Sequence, residues 1–131
     1  RVLRAGFVVT IDYGFEAQEY YAGHRTDGTL QAYREQRRSS SILEDAGHRD
    51  ITAHVNFTAL IEAGKKFGLE LESFTTQERF LMGALQSTPP AELERLDDAS
   101  KRQLRTLTHP EMLGSVFKVL VQRKSKESKS T

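Results

Sequence analysis

The stretch GFVVTIDYG, residues 6 to 14, constrains the fold more than any other part of the chain. Its apolar residues run on without alternation, several are β-branched, and Gly14 ends them. A run with no polar face to turn to water is the signature of a strand buried on both sides of a parallel sheet. The series Val8-Val9-Thr10-Ile11 and the short length disfavour a hydrophobic helix. The wider segment VLRAGFVVTI is far too short to span a bilayer, and nothing resembling a signal-peptide cleavage site follows it. The chain opens on Arg1 just ahead of this strand, and is therefore expected to be a piece of a longer protein.

With 131 residues, 37% of them hydrophobic and 28% charged, the chain has the balance of one soluble globular domain. A net charge of +1 creates no field that would recruit nucleic acid or an acidic membrane, so neither is expected as a partner. Cysteine is absent. That excludes a disulfide framework, a thiol nucleophile and a cysteine zinc site, and it suits a reducing, cytoplasmic setting.

Residues 15 to 50 are polar and punctuated by glycine, and are expected to be mostly irregular, with GTLQAYREQRR forming a short strand or helical turn and SSSILEDAGHRD an exposed loop. So long a connection is usually functional. NFTALIEAGKKFG then predicts a helix capped by Asn56, with Phe57, Leu60, Ile61 and Ala63 on its apolar face and Gly68 after its last turn. LELESF alternates Leu69, Leu71 and Ser73 against Glu70, Glu72 and Phe74, as a strand does. In TTQERFLMGAL, Thr75 and Glu78 have capping-box spacing. STPPAELERLDDASKRQLRTL predicts a helix with Thr88 as cap and Pro89 in its first turn. HPEMLG is a break, SVFKVLVQ (115–122) a final strand, and RKSKESKST a disordered tail from 124 on. Strand–helix–strand predicts a right-handed crossover between parallel strands, while the last strand has no crossover helix of its own and can run antiparallel. These elements suit one half of an α/β sheet.

Five segments in this order, IDYG (11–14), GTLQAYR (28–34), DITAHVNF (50–57), TTQERFL (75–81) and PEMLGSVFKVL (110–120), resemble the C-terminal part of the MidA-like family of S-adenosylmethionine-dependent methyltransferases. That family includes a mitochondrial protein-arginine methyltransferase needed for assembly of respiratory complex I. The resemblance covers nearly the whole chain. One departure stands out: Asn56 occupies a position where the family usually carries aspartate. Both residues cap helices, so what the change puts in doubt is any chemical role of the family's carboxylate. The resemblance implies the C-terminal portion of a class I, Rossmann-like methyltransferase sheet (1–123), with an antiparallel last strand and a helical insertion at about 76–108. It implies S-adenosyl-L-methionine as cofactor, bound mainly by an upstream part. No G-x-G occurs in this sequence, so the glycine turn expected of such a site would lie elsewhere, and the fragment alone is expected not to bind the cofactor or be active.

Candidate site residues follow from both lines of reasoning. Asp12 and Tyr13 fall at the carboxyl end of the first strand, where open α/β sheets bind ligands, and an aspartate there can hold a guanidinium with both oxygens. GHRDITAHVNF (47–57) has three readings. His48, Asp50 and His54 are potential metal ligands, but their spacing fits no zinc signature, and no metal is expected. Asp50 and Thr52 can instead hydrogen-bond turn amides at a helix entry, or the stretch lines a substrate pocket, the reading that the resemblance favours. Asp12 and His54 are the expected catalytic residues. Tyr13, Gln31, Tyr33, Asp50, Thr52 and Gln77 are the expected substrate-binding residues. Arg34, Arg37, Arg38 and the lysine tail form a weak basic patch without interleaved aromatics, which reads as solvated surface. Ser39–Ser41 lack a nucleophile context. The function implied is the substrate side of a methyltransferase, acting on protein arginine in the complete protein; the alternative is a non-enzymatic assembly or partner-binding module. The last strand is expected to pair antiparallel with 6–12 on one side and with 69–74 on the other, leaving the open edge of 6–12 to meet another copy of the chain or another part of the intact protein.

Overall fold

A computed structural model describes residues 3–34, 37–39 and 47–126. Its chain divides into two compact units, one holding the residues up to Tyr13 and from Leu60 onward, the other Gly14–Ala59.

The first unit is built on a three-stranded run of sheet. Strand β1 (Gly6–Phe15) pairs antiparallel with the last strand, which we number β7 (Phe117–Lys124), from Gly6 opposite Lys124 to Tyr13 opposite Phe117. On its other side β7 pairs antiparallel with β6 (Glu70–Thr76). β1 and β6 therefore run in the same direction, as a crossover requires, with β7 inserted between them against the grain. The expected pairing of the last strand with 6–12 and with 69–74 is what the register shows. Val119 and Leu120 on β7 are fully buried, because a central strand is covered on both faces.

The expectation of burial along β1 does not hold. Phe7, Val9 and Ile11 are 61, 50 and 51% exposed, and their direct partner along the strand is antiparallel rather than parallel. The apolar run predicts cover on both faces; among the described residues, that cover is missing from one. In β6 a bulge between Leu71 and Ser73 breaks the simple alternation, leaving Leu71 exposed.

Between β1 and β6 lies helix α2 (Phe57–Lys66). Its start is set by Asn56, whose Oδ1 accepts from the Ala59 amide at 3.1 Å, as the sequence predicts for a capping asparagine. Its end is set by Gly68, with φ +74°, where the amides of Gly68 and Leu69 donate to the carbonyls of Lys65 and Gly64. The buried positions are Phe57 and Gly64, with Leu60 and Ile61 half-buried; Ala63, expected on this face, is exposed. Gly64 belongs there because an added Cβ would sit 2.0 Å from the Gln122 side chain on β7.

After β6 come α3 (Gln77–Gln86), α4 (Pro90–Glu94) and α5 (Asp98–Thr108), then a kinked turn at Pro110–Gly114. Two caps differ from expectation. Thr75 stays in the ladder opposite Val119, so Thr76 caps α3 by accepting from the Arg79 amide at 3.4 Å. Thr88 caps nothing and donates back to the Ala84 carbonyl, while Asp97 starts α5 by accepting from the Ser100 amide at 2.7 Å. The Ser100 side chain first, and its amide second, hold the Asp97 carboxyl below its ordinary range.

In the second unit much of the described part of 15–50 is irregular, as expected, and the expected short strand in GTLQAYREQRR is present at Gln31–Arg34; the sheet that it joins is what the sequence did not show. α1 (Ala17–Tyr20) is followed by a three-stranded antiparallel sheet in the order β3-β2-β4, made of β2 (Gln31–Arg34), β3 (Arg37–Ser39) and β4 (Asp50–Thr52). Ala32, at its centre, is fully buried. Gly14 and Phe15, at the end of β1, pair parallel with β5 (Val55–Asn56). The expected loop at 39–50 falls largely on 40–46, and the expected tail largely on 127–131; both stretches lie outside the described residues, as do the side chains of the basic patch at 34, 37 and 38.

Candidate functional site

In the second unit, pairing of β2 with β4 places Gln31 opposite Thr52 and Tyr33 opposite Asp50. Residues two apart on a strand share a face, and directly opposed residues share it too. The four residues expected to bind substrate in this region therefore occupy one face of one sheet. Tyr33 donates its hydroxyl hydrogen to Gln31 Oε1 at 2.5 Å, which fixes both side chains. Ala32 and Ile51 take the opposite face, also in register.

His54 stands just beyond β4. Its ring lies on Phe15, centroids 4.8 Å apart and planes inclined by 23°, with Nδ1 3.5 Å from the Thr29 carbonyl oxygen. The Arg25 guanidinium lies 4.0 Å from the centroid of the same phenyl ring. Arg25 is itself fixed: Nε donates to the Glu19 carbonyl at 3.0 Å and Nη2 to its carboxylate. Arg25 is the main cause, and His24 a lesser one, holding the Glu19 carboxyl below the usual carboxylate range. A depressed carboxyl contributes its pairing above its unfolded value and loses it as pH falls through the folded one, so acid releases Arg25. Thr29, which sets the carbonyl against His54, is buried and donates its hydroxyl hydrogen to the Tyr20 hydroxyl at 3.3 Å. Asn56, where the resemblance expects aspartate, spends Oδ1 on the α2 cap and donates Nδ2–H to the Tyr21 hydroxyl at 3.4 Å.

In the first unit, Asp12 lies near the carboxyl end of β1, opposite Lys118, which on its other side faces Thr76. Asp12 Oδ1 accepts from the Tyr13 amide at 2.8 Å, and the Tyr13 ring meets Phe117 edge to face at 5.8 Å. Gln77 follows Thr76 and is buried; its Nε2 donates to the Leu107 carbonyl at 2.9 Å, tying α3 to α5. His48 is exposed. Among the described residues, no three His, Cys, Asp or Glu side chains gather closely enough to hold a metal ion, and no helix is long and apolar enough to cross a membrane.

Residues 1–75, which take in β1, the whole second unit and α2, match the family described as "Putative S-adenosyl-L-methionine-dependent methyltransferase". The chain belongs to this family.

Solved structures agree with that membership. Two proteins of one superfamily from Burkholderia thailandensis are 31% identical to this methyltransferase-family chain. They superpose on 95 and 94% of it with TM-scores of 0.76 and 0.74, and the second was crystallised bound to S-adenosyl-homocysteine. The chain spans about a third of the length of each, 34 and 33%. No curated protein matches it. The α/β architecture with an antiparallel last strand, expected from the sequence, is thus a portion of the family's Rossmann-like fold.

The residues present do not by themselves fit the family's cofactor. A nucleoside site of this fold class needs a glycine turn that lets the backbone approach the ligand, with an acidic residue for the ribose. Gly14, inside β1 near its carboxyl end, is close-packed instead on the Val55 backbone. The positive-φ glycines Gly6, Gly28, Gly47 and Gly68 include none that joins a strand to the start of a helix. Sequence reasoning missed Phe15, Glu19, Arg25 and Thr29. The one available signal was Glu19 and Arg25 beside the glycine-punctuated loop, and nothing in their spacing points to Phe15.

Proposed function

We propose that the complete protein transfers a methyl group from S-adenosylmethionine to an arginine side chain of a protein substrate, and that this chain supplies substrate-side residues. The observation that carries the reading is the shared face of Gln31, Tyr33, Asp50 and Thr52. A guanidinium presents only donors, and each of these four side chains offers an oxygen that can accept, one of them charged. Family membership and a neighbour bound to the demethylated cofactor support methyl transfer; no observation favours the non-enzymatic alternative.

The chemistry asks two things of the protein, since the cofactor supplies the electrophilic methyl group. The acceptor nitrogen must be oriented, because alignment supplies much of the rate in such displacements, and it must lose a proton. Within the second unit, the Asp50 carboxylate can orient and balance the cation and the His54 imidazole can take up the proton; in the first unit, the Asp12 carboxylate is a separate candidate for the orienting role. In the complete protein, Asp12→Ala and His54→Ala are each expected to lower turnover by about a hundredfold with little change in unfolding midpoint. Radiolabelled methyl transfer to arginine-containing peptides measures the first and urea titration the second. Wild-type turnover in either variant removes that residue from the chemistry; methyl label on a side chain other than arginine removes the substrate.

For partners, we propose that the open edge of β1 associates with a second copy when the chain is studied alone. The edge along Gly6–Asp12 has no partner strand among the described residues, and Phe7, Val9 and Ile11 project without the charges or prolines that protect edges. Val9→Lys is expected to turn an associating chain into a monomer by light scattering, and a wild-type monomer at high concentration defeats the proposal. A reducing, cytoplasmic setting suits the absence of cysteine.

A further inference from the structure

We propose that Arg25 is a positioning residue for His54, acting through the Phe15 ring. This rests on the reading of His54 as the group that takes up a proton, and it concerns how that imidazole is held.

Three contacts, all inside the second unit, make the arrangement. The guanidinium sits 4.0 Å from the Phe15 centroid, the distance at which a cation is drawn to a ring face. The imidazole lies nearly parallel to the same ring at 4.8 Å. The Thr29 carbonyl faces Nδ1 at 3.5 Å. A carbonyl can only accept, so this contact places the proton of the neutral ring on Nδ1 and the lone pair on Nε2. It does so only while the ring stays in its present plane, and the plane is set by Phe15. Phe15 in turn lies on the floor of a loop that Arg25 closes: its amide donates to the Ala22 carbonyl, its carbonyl accepts from Gly28, and its side chain spans back to Glu19 by two hydrogen bonds. A guanidinium held at two points has little freedom to leave the ring, whereas an ammonium at the same place would be held at one. Thr29, the residue after Gly28, is placed by the same loop. Arg25 therefore bears on two contacts of the imidazole, the ring beneath it and the carbonyl beside it.

The test uses the complete protein with histidine labelled in nitrogen-15, the His54 signals being assigned by their loss in His54→Gln. The wild type is expected to show His54 mainly as the Nδ1–H tautomer, with its carbon-bound protons shifted by the phenyl ring current. Arg25→Ala is expected to lose the tautomer preference and most of the ring-current shift, and to lower kcat about tenfold with KM unchanged. Arg25→Lys is expected to restore part of each. Phe15→Leu, which keeps the bulk and removes the π face, is expected to act as Arg25→Ala does and serves if that variant fails to fold. Unchanged His54 signals in the variant that folds overturn the proposal. Changed signals with wild-type kcat leave Arg25 as the residue that positions the ring and instead defeat the assignment of the proton to His54.

Discussion

Gly14→Val in the complete protein is expected to lower stability by about 3–5 kcal/mol, a large part of the roughly 5–15 kcal/mol that a domain has. The cause is space, since Gly14 is absent from the positive-φ glycines. A Cβ at this position would lie 2.1 Å from the Val55 carbonyl oxygen and 2.8 Å from its nitrogen. Both obstacles are backbone and cannot rotate away, so the parallel pairing of Gly14 with Val55 and Phe15 with Asn56 must open. Opening it also disturbs Phe15 beneath His54 and Asn56 at the α2 cap. Gly83→Ala makes the contrast. Gly83 lies inside α3 and an added Cβ meets nothing within 4 Å, so alanine there is expected to stabilise by about 0.5–1 kcal/mol. Urea titration reads both. A Gly14→Val midpoint within error of wild type would show that the strand end gives way more easily than its packing implies.

Phe57→Ala is expected to cost about 3–5 kcal/mol. Phe57 is 0% exposed and opens the buried face of α2, so truncation removes a whole ring from close packing and leaves a cavity. Phe57→Leu refills part of that volume and is expected to recover more than half. Phe67, just past the other end of this helix, is 76% exposed, and alanine there is expected to stay within about 0.5 kcal/mol of wild type. Thermal unfolding of the three variants separates burial from residue type, and equal losses at 57 and 67 would contradict the packing described.

How much of this was legible depended on where the information sits. α2 could be read because its cap, its apolar spacing and its closing glycine are neighbours in sequence. β7 and its two antiparallel partners could be read because each strand carries enough apolar residues to announce itself. The β2-β3-β4 sheet could not: each strand has three or four residues, and what makes QAYR a strand is pairing with DIT, beyond a long polar connection. Caps failed by small margins for a related reason. Thr75 has the right spacing to Glu78, but the ladder to Val119 claims it, and tertiary pairing outweighs a local cap. Asp97 was hidden inside what reads as one helix from 90 to 107, although Leu96-Asp97-Asp98 carries the cap that divides it. Gln31, Tyr33, Asp50 and Thr52 could be picked out singly, but their common face depends on register. The Arg25–Phe15–His54 arrangement depends on ring geometry, for which no sequence pattern exists.

The insertion of β7 between β1 and β6 also fixes an order of events during synthesis. β1 and β6 never touch as ladder partners; each is paired within the first unit only through a strand that the ribosome delivers about a hundred residues after β1. At roughly 5–20 residues per second, the edge of β1 that faces β7 waits on the order of 5–20 s for its partner strand. A nascent chain stalled before Phe117 would hold β1 and β6 without the strand that joins them.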